Sequence, residues 1–252
     1  MQLVFLTALG IGGATALGSV LGFCFKKISH AFSDLVLAFA AGVMLCAAVV
    51  GLILPSLEYN SGPAALPVTV LGLFCGAFCL NLLDHAVPHL HRLAGAEQEG
   101  HPDRNDQLNK VLLFVLAIGI HNLPEGIAAG VGFGTGNNAE ALTIAAGIAL
   151  QNIPEGMVII APMLAAGMSP TRTFWAALAT GLVEVLGTLL GYFAVSLSVA
   201  VLPFALAFAG GTMLYVISDE MIPETHHGDA RGVTHFLLLG FCLMLAMTYY
   251  LE

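Results

Sequence analysis

Apolar residues run along this chain in long blocks, and small polar clusters interrupt them at regular intervals. Blocks near 3–25, 34–57, 66–88, 110–133, 139–163, 172–195, 201–222 and 233–251 are each close to the length of one membrane crossing. A helix needs about 20 apolar residues to span a bilayer. The separators Ser61-Gly62-Pro63, Gly134-Thr135-Gly136-Asn137-Asn138 and Gly167-Met168-Ser169-Pro170 are helix-stopping and turn-forming residues. The pattern predicts an all-α integral membrane protein with eight transmembrane helices in a single domain over 1–252. The first block lacks the basic start and the A-x-A-like cleavage site of a secretory leader before Lys26 and Lys27, so it reads as the first helix. One long stretch, roughly 89–109, is polar and reads as a flexible loop. It holds His89, His91 and His101, which suit either a solvated linker or loose capture of a metal ion.

Composition strengthens this reading. Charged residues are only 9% of the chain and hydrophobic ones 58%, so lipid must be the solvent for most of the surface. A soluble domain carries about 25% charged residues. The basic residues Lys26, Lys27, Arg92, Arg104, Lys110, Arg172 and Arg231 fall in or beside the loops after the first, third, fifth and seventh blocks. The positive-inside rule makes those loops cytoplasmic. Both termini are then extracytoplasmic, in a multi-pass protein of the cell (inner) membrane. A net charge of −9 excludes a nucleic-acid partner and suits a cationic cargo. Cys24, Cys46, Cys75, Cys79 and Cys242 all lie in apolar blocks and read as packing residues.

The blocks also repeat. Residues 37–45 (LAFAAGVML) recur as 206–214 (LAFAGGTML), and 17–23 (LGSVLGF) recur at the same offset as 186–192 (LGTLLGY). Helices 1–3 thus repeat as helices 6–8, with a faint match between the third and the eighth. An odd number of crossings separates the copies, so they traverse the membrane in opposite senses. Inverted repeats of this kind occur in secondary transporters, with the binding site near mid-membrane at the repeat interface.

The two unrepeated helices carry the chemistry. The fourth contains His121, Asn122, Pro124, Glu125 and Gly126, and the fifth contains Gln151, Asn152, Pro154, Glu155 and Gly156. Within each motif the first and second polar residues precede the Glu by four and three positions, so all three share one helix face. The prolines leave carbonyls unpaired and predict a local kink, which the following glycines would ease. Glu184 and Met44 sit near the middle of the sixth and second helices. Each acid at the bilayer centre costs about 2.5–3.5 kcal/mol, and the three together roughly 8–10. No Lys or Arg lies at that depth, so either the carboxyls are protonated when empty or a cation sits between them. Imidazole, carboxylate and amide ligands suit Zn2+, Fe2+, Mn2+ or Cd2+. A route through the membrane is sketched by Glu58 at the outer end of the second helix and by Asp34 at the inner start of that helix. Asp84, His85 and His89 at the inner end of the third helix, with Asp219 and Glu220 toward the inner end of the seventh, complete it.

With both motifs in one eight-helix chain, the sequence resembles the ZIP family of divalent metal transporters in its bacterial GufA-like form. Residues 219–226 resemble the family's helix 7 ending. The resemblance implies a binuclear centre: one site from His121, Glu125, Gln151, Glu155 and Met44, the other from Asn122, Glu125, Asn152, Glu155 and Glu184. It implies metal flux toward the cytoplasm, a homodimer in the lipid bilayer, and alternating access by sliding of one helix bundle against another. Many family members have His in place of Gln151 and of Asp219, and some have Asp in place of Asn152. Two rivals remain. A membrane di-metal redox enzyme would be expected to use Glu-x-x-His motifs, and the order here is the reverse. A channel or carrier for another cation or polar solute would be separated by uptake measurements. A Walker A motif is absent, as is the H-E-x-x-H of a metalloprotease, so the chain reads as a transporter rather than an enzyme.

Overall fold

A computed structural model describes residues 1–24, 30–59, 62–86, 104–165, 167–226 and 231–251. Among them every long element is a helix. Helix α1 covers Gln2–Cys24, and α2 runs from His30–Cys46 through a wider, π-helical stretch Ala47–Ile53 into Leu54–Glu58. Helix α3 covers Ala65–Ala86, α4 Arg104–Gly132, and α5 Asn138–Val158 with a continuation Ile160–Ala165. Helix α6 covers Pro170–Leu197, and α7 runs from Leu202–Val216 through a second π-helical stretch Ile217–Met221 into Ile222–Thr225. Helix α8 covers Val233–Leu251.

The eight apolar blocks thus correspond to eight helices, with three departures. Helix α4 starts at Arg104, so residues 104–109 of the expected loop are helical, while His89, His91 and His101 lie outside the described residues. Helix α2 starts at His30, which puts Asp34 a full turn inside it rather than at its start. The fifth block breaks at Ile159, because Pro162 has no N–H to give to the carbonyl of Val158. Helix starts follow ordinary capping. The Asn137 side chain accepts from the backbone N–H of Ala139 at 3.0 Å, and Ser169 caps α6 just ahead of Pro170.

Among the described residues, six helices (α1, α2, α3, α6, α7 and α8) are long and apolar enough to cross a membrane. The outer surface is apolar: Phe74 and Phe78 on α3, Trp175 and Leu190 on α6, and Tyr249 on α8 are all exposed. That is the surface of a protein dissolved in lipid.

Packing obeys the repeat. Helix α1 lies along α5 as α6 lies along α4, and α2 lies along α8 as α7 lies along α3. The remaining major contact, α1 with α6, joins the copies to each other. Glycines enforce each pairing at corresponding places. A Cβ on Gly18 would strike the carbonyl of Ile153 in α5, and one on its counterpart Gly187 would strike that of Leu123 in α4. A Cβ on Gly42 would strike Leu237 in α8, and one on Gly211 would strike Leu73 in α3. Gly12 and Gly181 face each other's carbonyl oxygens where α1 crosses α6, as a pair on the pseudo-two-fold axis must. The α3–α8 correspondence, faint in sequence, is plain here. Gly76 abuts the carbonyl of Phe208 in α7, and Gly240 abuts that of the counterpart Phe39 in α2. Even the π-helical stretches correspond, each closing just ahead of a proline, Pro55 or Pro223.

Candidate metal centre

The motif glycines sit where neighbouring helices cross. The helix continues through Pro124 and Pro154. Gly126 is where α6 passes closest to α4: an added Cβ would strike the backbone of Glu184. Gly156 is where α1 passes closest to α5, and there an added Cβ would strike the carbonyl of Thr15. The two glycines therefore bring Glu184 and Thr15 against the polar faces of the two motifs.

Those faces form one buried cluster. Asn122, Glu125, Gln151, Asn152 and Glu184 are each at most 2% exposed. Gln151 Nε2 donates to Glu125 Oε1 at 2.7 Å. Asn122 Nδ2 donates to Glu184 Oε1 and Asn152 Nδ2 to Glu184 Oε2, both at 2.6 Å. Thr15 Oγ1 adds a third donor to Glu184, at 2.7 Å from Oε1. His121 Nε2 lies 2.8 Å from Glu220 Oε1. Glu155, half-buried, is within electrostatic reach of His121, Glu220, Glu125 and Glu184. The carboxyls of Glu125, Glu155 and Glu184, on three helices, thus lie within electrostatic reach of one another.

The amides decide what the cluster lacks. Each turns its NH2 toward a carboxylate, which points its carbonyl oxygen elsewhere. Asn122 Oδ1, Gln151 Oε1 and Asn152 Oδ1 are buried without a hydrogen-bond partner, and so is Glu125 Oε2. An unsatisfied buried acceptor costs about 1–3 kcal/mol. No Lys or Arg occurs between Lys110 and Arg172 or between Arg172 and Arg231 to supply donors. A cluster with surplus acceptors and no cationic side chain is chemically matched to a cation. Among the described residues, no three His, Cys, Asp or Glu side chains converge closely enough to hold an ion by themselves. In this state Glu184 is occupied by donors and His121 by Glu220, so the amide oxygens supply much of the open ligand capacity.

The other expected residues have varied settings. Met44 is fully buried in the main apolar core, in the same cluster as Val43, Ile148 and Met213. Asp34 is half-buried with Oδ2 unpartnered. Glu58 is exposed and within electrostatic reach of Glu140. Asp84 lies in the last turn of α3, beside the exposed His85, whose Nδ1 lies 2.8 Å from the Asn81 carbonyl. His89 lies outside the described residues. Asp219 is exposed, and Glu220 lies against His121. Sequence reasoning also missed Thr15. Its signal was the repeat itself, since Thr15 and Glu184 are corresponding positions 169 residues apart.

Comparison with known proteins gives this cluster a context. The family described as ZIP zinc transporter matches residues 91–248, which include both motifs and Glu184. Zinc transporter GufA of Myxococcus xanthus is 41% identical, with 78% of each chain covered. Zinc transporter ZIPB of Bordetella bronchiseptica is 40% identical over 92% of this chain and 76% of its own. Zinc transporter ZIP11 of Homo sapiens is 31% identical, with 93% of each covered. Together with the apolar exterior and the buried acceptor cluster, these matches make the chain a multi-pass membrane transporter of divalent metal rather than an enzyme, and a member of the ZIP family.

Proposed function

We propose that the protein moves Zn2+, and with it Cd2+, Fe2+ and Mn2+, toward the cytoplasm through a binuclear site half-way across eight membrane spans. The observation that carries this is the surplus of buried acceptors on α4 and α5, in a cluster that also holds carboxyls from two further helices. One ion would use His121, Glu125, Gln151 and Glu155, with Met44 as a soft neighbour. The other would use Asn122, Glu125, Asn152, Glu155 and Glu184. Glu125 and Glu155 would bridge the two. Glu125 has a free oxygen for this, since only Oε1 is taken by Gln151. The basic loops set the orientation, with both termini outside the inner membrane. Asp34, Glu58, Asp84, His85, His89 and Asp219 are assigned to the approach and exit routes, and Glu220 to the first step out of the centre. The bundles α1/α4/α5/α6 and α2/α3/α7/α8, each closely packed within itself, are suited to slide as units in a homodimer.

The test is uptake by purified protein in liposomes, comparing Zn2+, Cd2+, Mn2+, Fe2+ and Na+ with simultaneous internal pH readout. Saturable uptake of the transition metals and none of Na+ is expected. Zinc uptake that persists at the wild-type rate in Glu125→Gln or Glu155→Gln would rule out the bridged centre.

A further inference from the structure

Thr15 belongs to neither motif, yet it touches the innermost carboxylate. It is 1% exposed and fixed from two sides. Helix α1 meets α5 at Gly156, against the Thr15 carbonyl, and meets α6 at the Gly12–Gly181 crossing. Its hydroxyl has one listener, Glu184 Oε1 at 2.7 Å. The neighbouring hydroxyls cannot substitute, because Ser19 and Thr188 each donate to a carbonyl one turn back in their own helix, both at 2.9 Å.

The lone pairs on Glu184 give this bond a consequence. An ionised carboxylate has about four acceptor positions, two on each oxygen. Thr15 and Asn122 fill both on Oε1, while Asn152 fills one on Oε2. A single position on Oε2 stays open. Glu184 is thereby held as a one-oxygen ligand and prevented from chelating an ion with both oxygens. Zinc accepts single carboxylate oxygens at about 2.0–2.2 Å. Larger ions are better served by two-oxygen carboxylates at longer distances.

We propose that Thr15 is a positioning residue that sets ion selectivity: by pinning Glu184 Oε1 it makes the carboxylate a one-oxygen ligand and favours zinc over larger ions such as cadmium. This rests on the reading of Glu184 as a ligand of the transported ion. Valine at position 15 keeps the side-chain shape and removes the donor, which opens a position on Oε1.

The experiment measures Zn2+ and Cd2+ uptake in proteoliposomes by the full chain, as wild type, Thr15→Val, Thr15→Ser and Glu125→Gln. Thr15→Val is expected to raise the half-saturating zinc concentration about tenfold, the scale of one hydrogen bond to a buried charge. Cadmium should shift less, the maximal flux should change little, and Thr15→Ser should restore the wild-type ratio. An unchanged Thr15→Val, an equal loss for both metals, or a fall in maximal flux that serine does not repair would overturn the assignment of Thr15 alone, given loss of flux in Glu125→Gln. Wild-type flux in Glu125→Gln would instead overturn the reading of the centre, and the Thr15 assignment with it.

Discussion

The two copies of the repeat share a backbone and differ in chemistry. Gly18, Gly42 and Phe39 in the first copy have working counterparts in Gly187, Gly211 and Phe208 in the second, and both copies place a π-helical stretch ahead of a proline. Yet where α6 has Glu184, α1 has Thr15, and where the π-helical stretch of α7 has Glu220, that of α2 has the buried Gly51. The central helices are skewed the same way. His121 of α4 pairs with Glu220, while the matching Gln151 of α5 turns to Glu125. The frame around the cluster is symmetric. Its polar decoration is not, with a carboxylate beside the imidazole on one side and the buried Gly51 at the corresponding position on the other.

The largest effect that bears on this comparison is loss of the Glu125 carboxyl, which lies between the two motifs. Glu125→Gln should reduce zinc uptake in proteoliposomes at least about 100-fold while the protein keeps its elution profile in detergent, since one neutral amide replaces a buried charge with several kcal/mol of interaction. Exchange across the axis is a sharper probe. Glu184→Thr alone should lower uptake on a similar scale. The double variant Thr15→Glu/Glu184→Thr should regain most of it, to within about tenfold, because the two side chains are one hydrogen bond apart at corresponding sites. A double variant as inactive as the single one would mean that the helices, and not only their decoration, are inequivalent.

How far these features could be read beforehand depends on their physics. The helices were legible because lipid demands about 20 apolar residues per crossing, and the inverted repeat was legible wherever close packing preserved glycines. The motif faces followed from helical periodicity. Three things did not follow. Glu220 reaches His121 from a π-helical stretch, and an extra residue in a turn rotates everything beyond it, so counting at 3.6 per turn misplaces the side chain. Thr15 looks like any small residue in an apolar helix until its partner is known. Gly126 and Gly156 follow prolines by two residues and so suggest an eased kink, but their close approach across the interface, to Glu184 and Thr15, is not contained in that spacing. Non-local contacts of this kind leave no trace in local spacing.

A middling effect tests the symmetric frame itself. Gly42→Ala and Gly211→Ala each force a methyl group into a backbone carbonyl of the neighbouring helix. Each should destabilise by about 1–3 kcal/mol, by the usual cost of overpacking. Thermal unfolding in detergent should show two losses of similar size, with Gly62→Ala as a contrast, since nothing crowds that site and only its positive φ of 99° resists a side chain. If one of the two interface variants were as stable as wild type, the helix pairs would not be equivalent as packing units.

The smallest expected effect concerns the one polar motif position where the central helices differ, His121 against Gln151. Gln151→His would give α5 the imidazole that α4 already has. The buried Gln151 amide now donates to Glu125 and leaves Oε1 unpartnered, which offers a hard oxygen to an ion. A neutral imidazole would replace that oxygen with a softer nitrogen and could still donate to Glu125 from its other ring nitrogen. Nitrogen ligands raise affinity for zinc relative to manganese, while oxygen ligands suit manganese better. The variant should therefore keep transporting but shift competition between Zn2+ and Mn2+ toward zinc, by a few-fold rather than by orders of magnitude, because one ligand among several changes. Competition uptake at fixed zinc with rising manganese measures this. An unchanged ranking of Zn2+, Cd2+, Fe2+ and Mn2+ would mean that Gln151 serves only to orient Glu125, and that metal preference is decided by the carboxylates alone.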